Sequence, residues 1–133
     1  MSPVGFEDHP DVAASDRNLA IADHLLDNRP AGLDGPAYEW AVIVSFYAAV
    51  RCINAWIHEN HDRQPVNHGE RFREILNDPS LQELLERYSL LRSWSEQARY
   101  TAPASEFSSD HARMALDFAK SIRNHLQSST EPS

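Results

Sequence analysis

The stretch from Ala37 to His61, AYEWAVIVSFYAAVRCINAWIHENH, holds no glycine or proline and is the part of the chain richest in large apolar residues. At helical spacing, Trp40, Ile43, Tyr47, Val50 and Ile57 form one stripe, and Val42, Phe46, Ala49, Ile53 and Trp56 form a second beside it. Together they cover more than half of the helix circumference. One neighbour cannot bury so wide an arc, so the pattern predicts a central helix packed by at least two others. Glu39, Arg51, Asn54, His58 and Glu59 keep the unbroken apolar run far below the ~20 residues of a membrane span, so no membrane is expected.

With 133 residues the chain is long enough to bury a single core without staples. The one cysteine, Cys52, falls inside the apolar helix and reads as a small buried hydrophobe, which suits a reducing cytoplasm. The first residues carry acids and no basic segment followed by an apolar run, so no signal peptide is expected. The net charge is −8, from 20 acids against 12 bases, and Lys120 is the only lysine. Such a field disfavours a broad grip on nucleic acid and leaves room for a small arginine-lined site.

Along the chain, residues 1–14 contain two prolines and no sustained period and read as a loose lead-in. A helix is expected from Ser15 or Asp16, with Leu19, Ala22, Leu25 and Leu26 as its apolar stripe and Pro30 as its stop. A short helix is expected over Glu70 to Leu76, with Phe72, Ile75 and Leu76 on one side and Arg71, Arg73 and Glu74 on the other. Asp78-Pro79 signals a further start, and Leu81, Leu84, Leu85, Tyr88, Leu91, Trp94 and Ala98 carry that helix to about Arg99. Ser108 or Ser109 opens the last helix, on which Ala112, Ala115, Leu116, Ala119, Ile122 and Leu126 recur. No stretch alternates as a strand would. The fold class is all-α: an up-and-down bundle of four long helices, a short helix between the second and third, a domain over 15–128 and a frayed tail over 129–133.

The residues resemble the HEPN domain family, all-α bundles of prokaryotic toxin-antitoxin and defence systems. The resemblance rests on Phe46-Tyr47-Ala48-Ala49 in a long second helix, on His68 after the following loop, and on Ser95-Glu96-Gln97-Ala98-Arg99-Tyr100 closing a later helix. Many members are described as metal-independent ribonucleases with an arginine, four to six intervening residues and a histidine. Arg63 and His68 match that spacing. The resemblance implies His68 as general base for a ribose 2′-hydroxyl and Arg63 as the cation for charge growing on the phosphate. Asn67, Arg71, Arg99 and Tyr100 are the accompanying binding candidates. The resemblance also implies a homodimer with a composite cleft, an RNA substrate, and an antitoxin or nucleotidyltransferase-type partner; no cofactor is implied.

The same residues also fit a catalytically silent module that binds a protein, nucleotide or RNA. Here the Arg63–His68 pair spans a proline-containing loop rather than the start of a late long helix, and SEQARY stands where many relatives carry an arginine followed by Ala-Asp-Tyr. Asn67 can cap the short helix with His68 in its first turn. His58 and His61 share a helical face and the loop could return His68 as a third metal ligand, but the set lacks a cysteine partner and an HExxH spacing, so no metal is expected. Trp40, Trp56 and Trp94 read as core or dimer-interface residues.

Overall fold

A computed structural model of the chain describes residues 5–130 and is all-α, with no strand among the described residues. Five α-helices follow one another: α1 Pro10–Asp27, α2 Tyr38–His61, α3 His68–Asn77, α4 Leu85–Glu96 and α5 Ser109–Thr130. The expected tail over 129–133 lies outside the described residues from position 131 onward, and Ser129 belongs to α5.

The central helix falls within a residue of its expected bounds, and α1, α4 and α5 pack around it. Val42, Phe46, Cys52, Ile53, Trp56 and Ile57 are all buried. Ala41, Ala48, Ala49 and Ala55 are buried with them, and these small side chains let neighbouring helices approach closely. By length and composition α2 would also pass as a membrane span, yet 67% of its apolar window is buried inside the protein. The outer edge of the first stripe reaches solvent, with Trp40 55% exposed. Burial pushes the Cys52 thiol up to about 12, which keeps it protonated and inert.

The N-terminal segment is where the expectation fails. Helix α1 begins at Pro10, not Ser15, because His9 accepts the Asp11 amide on its ring nitrogen and proline occupies the first turn, where its missing N–H is no loss. A short 3₁₀ turn, Phe6–Asp8, precedes it and buries Phe6 to 3% exposure. Ser15 is thus inside the helix, and its hydroxyl donates to the Ala48 carbonyl of α2 at 2.7 Å. Arg123 of α5 fastens the same end, pairing with Asp16 at 2.9 Å and Glu7 at 3.0 Å and lying over the Phe6 ring.

The helix expected from Pro79 to Arg99 is divided in three. Asp78 accepts the Ser80 amide as foreseen, but Pro79–Leu84 is a 3₁₀ segment and Gln97–Thr101 a π turn on either side of α4. Gln82 explains the first break: its amide donates to the Ile75 and Leu76 carbonyls at the end of α3, which holds the connection tight. The apolar face survives the break, with Leu81, Leu84, Tyr88 and Leu91 fully buried. In α5 all six expected core residues are buried, and Ser108 accepts the His111 amide.

Phe6→Ala is expected to destabilise the protein by about 3–5 kcal/mol, the usual consequence of emptying a buried aromatic site. Urea unfolding measures this, and a loose lead-in would show no change.

Candidate functional site

Helix α3 sorts the predicted residues by its phase. Asn67 caps it by accepting the Glu70 amide at 2.9 Å, and this cap fixes where the first turn starts. Positions 68, 71 and 75 then share one side by helical spacing. Arg71 and Ile75 are buried there, whereas Leu76 lies outward. The expectation had Arg71 on the solvent side with Arg73 and Glu74. Its side chain instead turns inward to 7% exposure, because α2 and α4 offer it polar atoms.

Those atoms are Asn54 Oδ1, which accepts Arg71 Nε at 2.9 Å, and Tyr88 Oη, which accepts Nη1 at 3.3 Å. His68 Nδ1 lies 2.8 Å from the same phenolic oxygen, and the two rings stack at 16° with centroids 5.6 Å apart. With Arg71 donating to its oxygen, Tyr88 is free to donate its own proton to His68 Nδ1, which leaves the proton of neutral His68 on Nε2. Burial lowers the His68 pKa from the ordinary histidine value, and the positive fields of Arg92 and Arg71 lower it further. Burial raises the Tyr88 pKa against the opposing pull of Arg71.

Both partners of Arg71 are neutral, and no carboxylate among the described residues pairs with it. Its Nη2 has no hydrogen-bond partner among the described residues and is not one of the fully buried unpaired atoms, so it keeps a contact with solvent. Arg92, half-exposed, pairs with Glu96 at 2.9 Å. The corner formed by α2, α3 and α4 therefore presents a guanidinium edge, a neutral imidazole and a second arginine nearby. That set suits an anion, since guanidinium matches carboxylate or phosphate oxygens.

Arg63 is not part of this corner. It forks onto Glu74 on the outer side of α3, Nε at 2.5 Å and Nη2 at 2.9 Å, and the Arg63 guanidinium holds the Glu74 carboxyl below its usual range. Arg99 and Tyr100 form a second group on the π turn. Arg99 Nη1 donates to the Tyr47 and Tyr100 hydroxyls at 3.1 and 3.3 Å, and its guanidinium carbon lies 4.9 Å from the Tyr100 ring centroid. Tyr100 itself is 75% exposed. A run of rings, Tyr88 to Phe46 to Tyr47, joins the two groups.

His58, His61 and His68, a candidate metal set by sequence, go to different partners. His61 meets Asp78 at 2.6 Å, His68 meets Tyr88, and His58 meets His9 at 3.0 Å. Asn54, Tyr47 and Tyr88 are the site residues that sequence reasoning missed. Tyr88 read as core, and Asn54 as an interruption of an apolar run; the usable signal was a polar atom within each apolar face.

Because folding favours neutral His68, its contribution to stability is present above the ordinary histidine value and is lost as pH falls below it. NMR titration is expected to place the His68 midpoint below about 6.5, and Arg92→Gln is expected to raise it. Comparison with protein-family models, curated proteins and solved structures finds no match to this chain.

Proposed function

We propose that this chain is a HEPN-like helical module that binds single-stranded RNA through the His68–Arg71–Arg92 corner without cleaving it. In this reading the helices make an up-and-down bundle of four long members with α3 as the short one. The observation that carries it is Arg71, a nearly buried guanidinium with only neutral partners. An uncompensated buried charge is strongly unfavourable, and an RNA phosphate would supply the missing countercharge. A net charge of −8 requires the anion to be held at such a local site rather than by the whole surface.

The neighbouring tyrosines support RNA over a bare anion. Tyr100 and Tyr47 flank Arg99 on an exposed face, and bases stack on aromatic and guanidinium planes of this kind. The biological setting comes from the resemblance: a cytoplasmic toxin-antitoxin or defence protein, acting as a homodimer, with exposed Trp40 available to a subunit contact and with a separately encoded antitoxin or nucleotidyltransferase-type partner.

A second reading, a metal-independent ribonuclease toxin, draws support from His68 being held neutral beside an arginine. Arg71 rather than Arg63 would then be the cation, since Glu74 occupies the Arg63 fork. The tautomer with Nε2 protonated makes His68 a donor, which favours holding a phosphate over abstracting a ribose proton.

Fluorescence anisotropy with several short RNAs in EDTA tests both. Folded wild type is expected to bind, Arg71→Gln and Arg92→Gln to weaken binding at least about tenfold, and Arg63→Ala to leave it unchanged. Absence of binding, or full affinity in Arg71→Gln and Arg92→Gln, sinks the proposal. Cleavage to 2′,3′-cyclic phosphate ends that disappears in His68→Ala would establish the ribonuclease instead.

A further inference from the structure

On the other side of Asn54 the N-terminal turn meets the last turns of α2. His9, the cap of α1, and His58 come together across 49 positions of sequence, with His9 Nε2 and His58 Nδ1 3.0 Å apart and the rings edge to face. Glu59 is the third member: one ligand atom from each of His9, His58 and Glu59 lies within 4.8 Å of the others, and all three side chains are half-buried. We propose that these three residues form a site for a divalent transition metal, with zinc the best-suited ion.

The spacing of the histidine pair is close to what the ion requires. Zinc–nitrogen bonds of about 2.0–2.1 Å at the tetrahedral angle hold two ligand nitrogens roughly 3.3 Å apart. The His9 and His58 nitrogens need to separate by only a few tenths of an ångström to admit the ion between them. Two imidazoles and one carboxylate form a ligand set that leaves the fourth position open. A cavity of about 180 Å³, lined by His9, Asn54, His58 and Gln64 among others, adjoins the pair and has room for water or another small ligand there.

The protons balance without release. In the metal-free protein His9 Nδ1 accepts the Asp11 amide at 3.0 Å, so the His9 proton sits on Nε2 and is donated to His58 Nδ1. Loading the ion moves that proton to His9 Nδ1 and uses the lone pairs of His9 Nε2 and His58 Nδ1. The new Nδ1–H then has an acceptor at hand, since Asp11 Oδ2 lies 3.9 Å away while Arg51 holds Oδ1 at 2.7 Å. A carboxylate behind a ligating histidine is the usual second shell of such sites, and it fixes the ring's tautomer. The cap bond to the Asp11 amide is exchanged for this one, and the ion ties the start of α1 to the end of α2.

Asn54 lines the cavity and also holds Arg71, so the metal site and the RNA corner share one residue while resting on separate observations. The site needs no RNA binding to be tested. Calorimetry of EDTA-treated, desalted protein titrated with zinc chloride is expected to show one ion per chain and a raised thermal midpoint, and cobalt(II) to give the visible bands of a tetrahedral nitrogen–oxygen site. His9→Asn, which keeps a capping side chain, and His58→Gln are each expected to weaken zinc binding about 100-fold or more, at least the loss caused by outer-shell changes. Glu59→Gln is expected to weaken it about tenfold or more, and His61→Ala to leave it unchanged. Absence of uptake by folded wild type at millimolar zinc overturns the proposal. So does undiminished uptake by His58→Gln and Glu59→Gln, whose positions within α2 leave the α1 cap untouched.

Discussion

Burial of the wide apolar arc of α2 is the constraint on which the rest of the molecule depends. Three long neighbours close over it, and the alanines at 41, 48, 49 and 55 let them come close enough to exclude water. Ser15 adds a directional tie, since its buried hydroxyl donates to the Ala48 carbonyl and so helps fix how α1 sits along α2. What this packing leaves partly uncovered is the polar edge of the C-terminal half of the helix. Asn54, His58 and Glu59 stand there at the rim, where α3 on one side and the Phe6–Asp8 turn on the other complete the cover. The two proposed sites are consequences of that incomplete enclosure.

The fold class and the long apolar helices were legible because their signal is local. In α2 and α5 the helical period holds from one end to the other, and the structure follows it to within about two residues. The misses share a different cause. Pro10 looks like a breaker in an unpatterned lead-in, but in the first turn, behind a histidine cap, it begins a helix. The segment after Pro79 carries the right apolar spacing for an α-helix and still starts as 3₁₀, because Gln82 reaches back to carbonyls that belong to α3. In both places a partner outside the reading window decides the backbone.

The candidate sites were half legible for the same reason. His68, Arg71, Arg99 and Tyr100 carry chemistry visible in the letters alone, while the partners that give them direction do not. Tyr88 occupies an apolar position and acts through one oxygen; Asn54 interrupts an apolar helix and acts through another. His9 lies in a segment with no periodic signal, and only the return of the chain against α2 brings it to His58. The Arg63–His68 spacing was the most legible feature of all. The phase set by the Asn67 cap explains its separation, since it leaves Glu74 outward to receive Arg63 while His68 faces Tyr88.

The arginines follow a pattern that bears on what this acidic chain can bind. Arg51, Arg63 and Arg123 each meet a carboxylate, so their charge is spent within the protein, whereas Arg92 meets Glu96 and still lends its field to His68. Arg71 and Arg99 are instead held by tyrosine hydroxyls, Tyr88 for one and Tyr47 with Tyr100 for the other. A phenol orients a guanidinium without neutralising it. In a chain whose mean field repels anions, positive charge that is fixed in place and left uncompensated is the kind that a phosphate can use. The hydroxyls therefore separate the arginines that hold the surface together from those poised for a ligand, a distinction that composition and net charge cannot make.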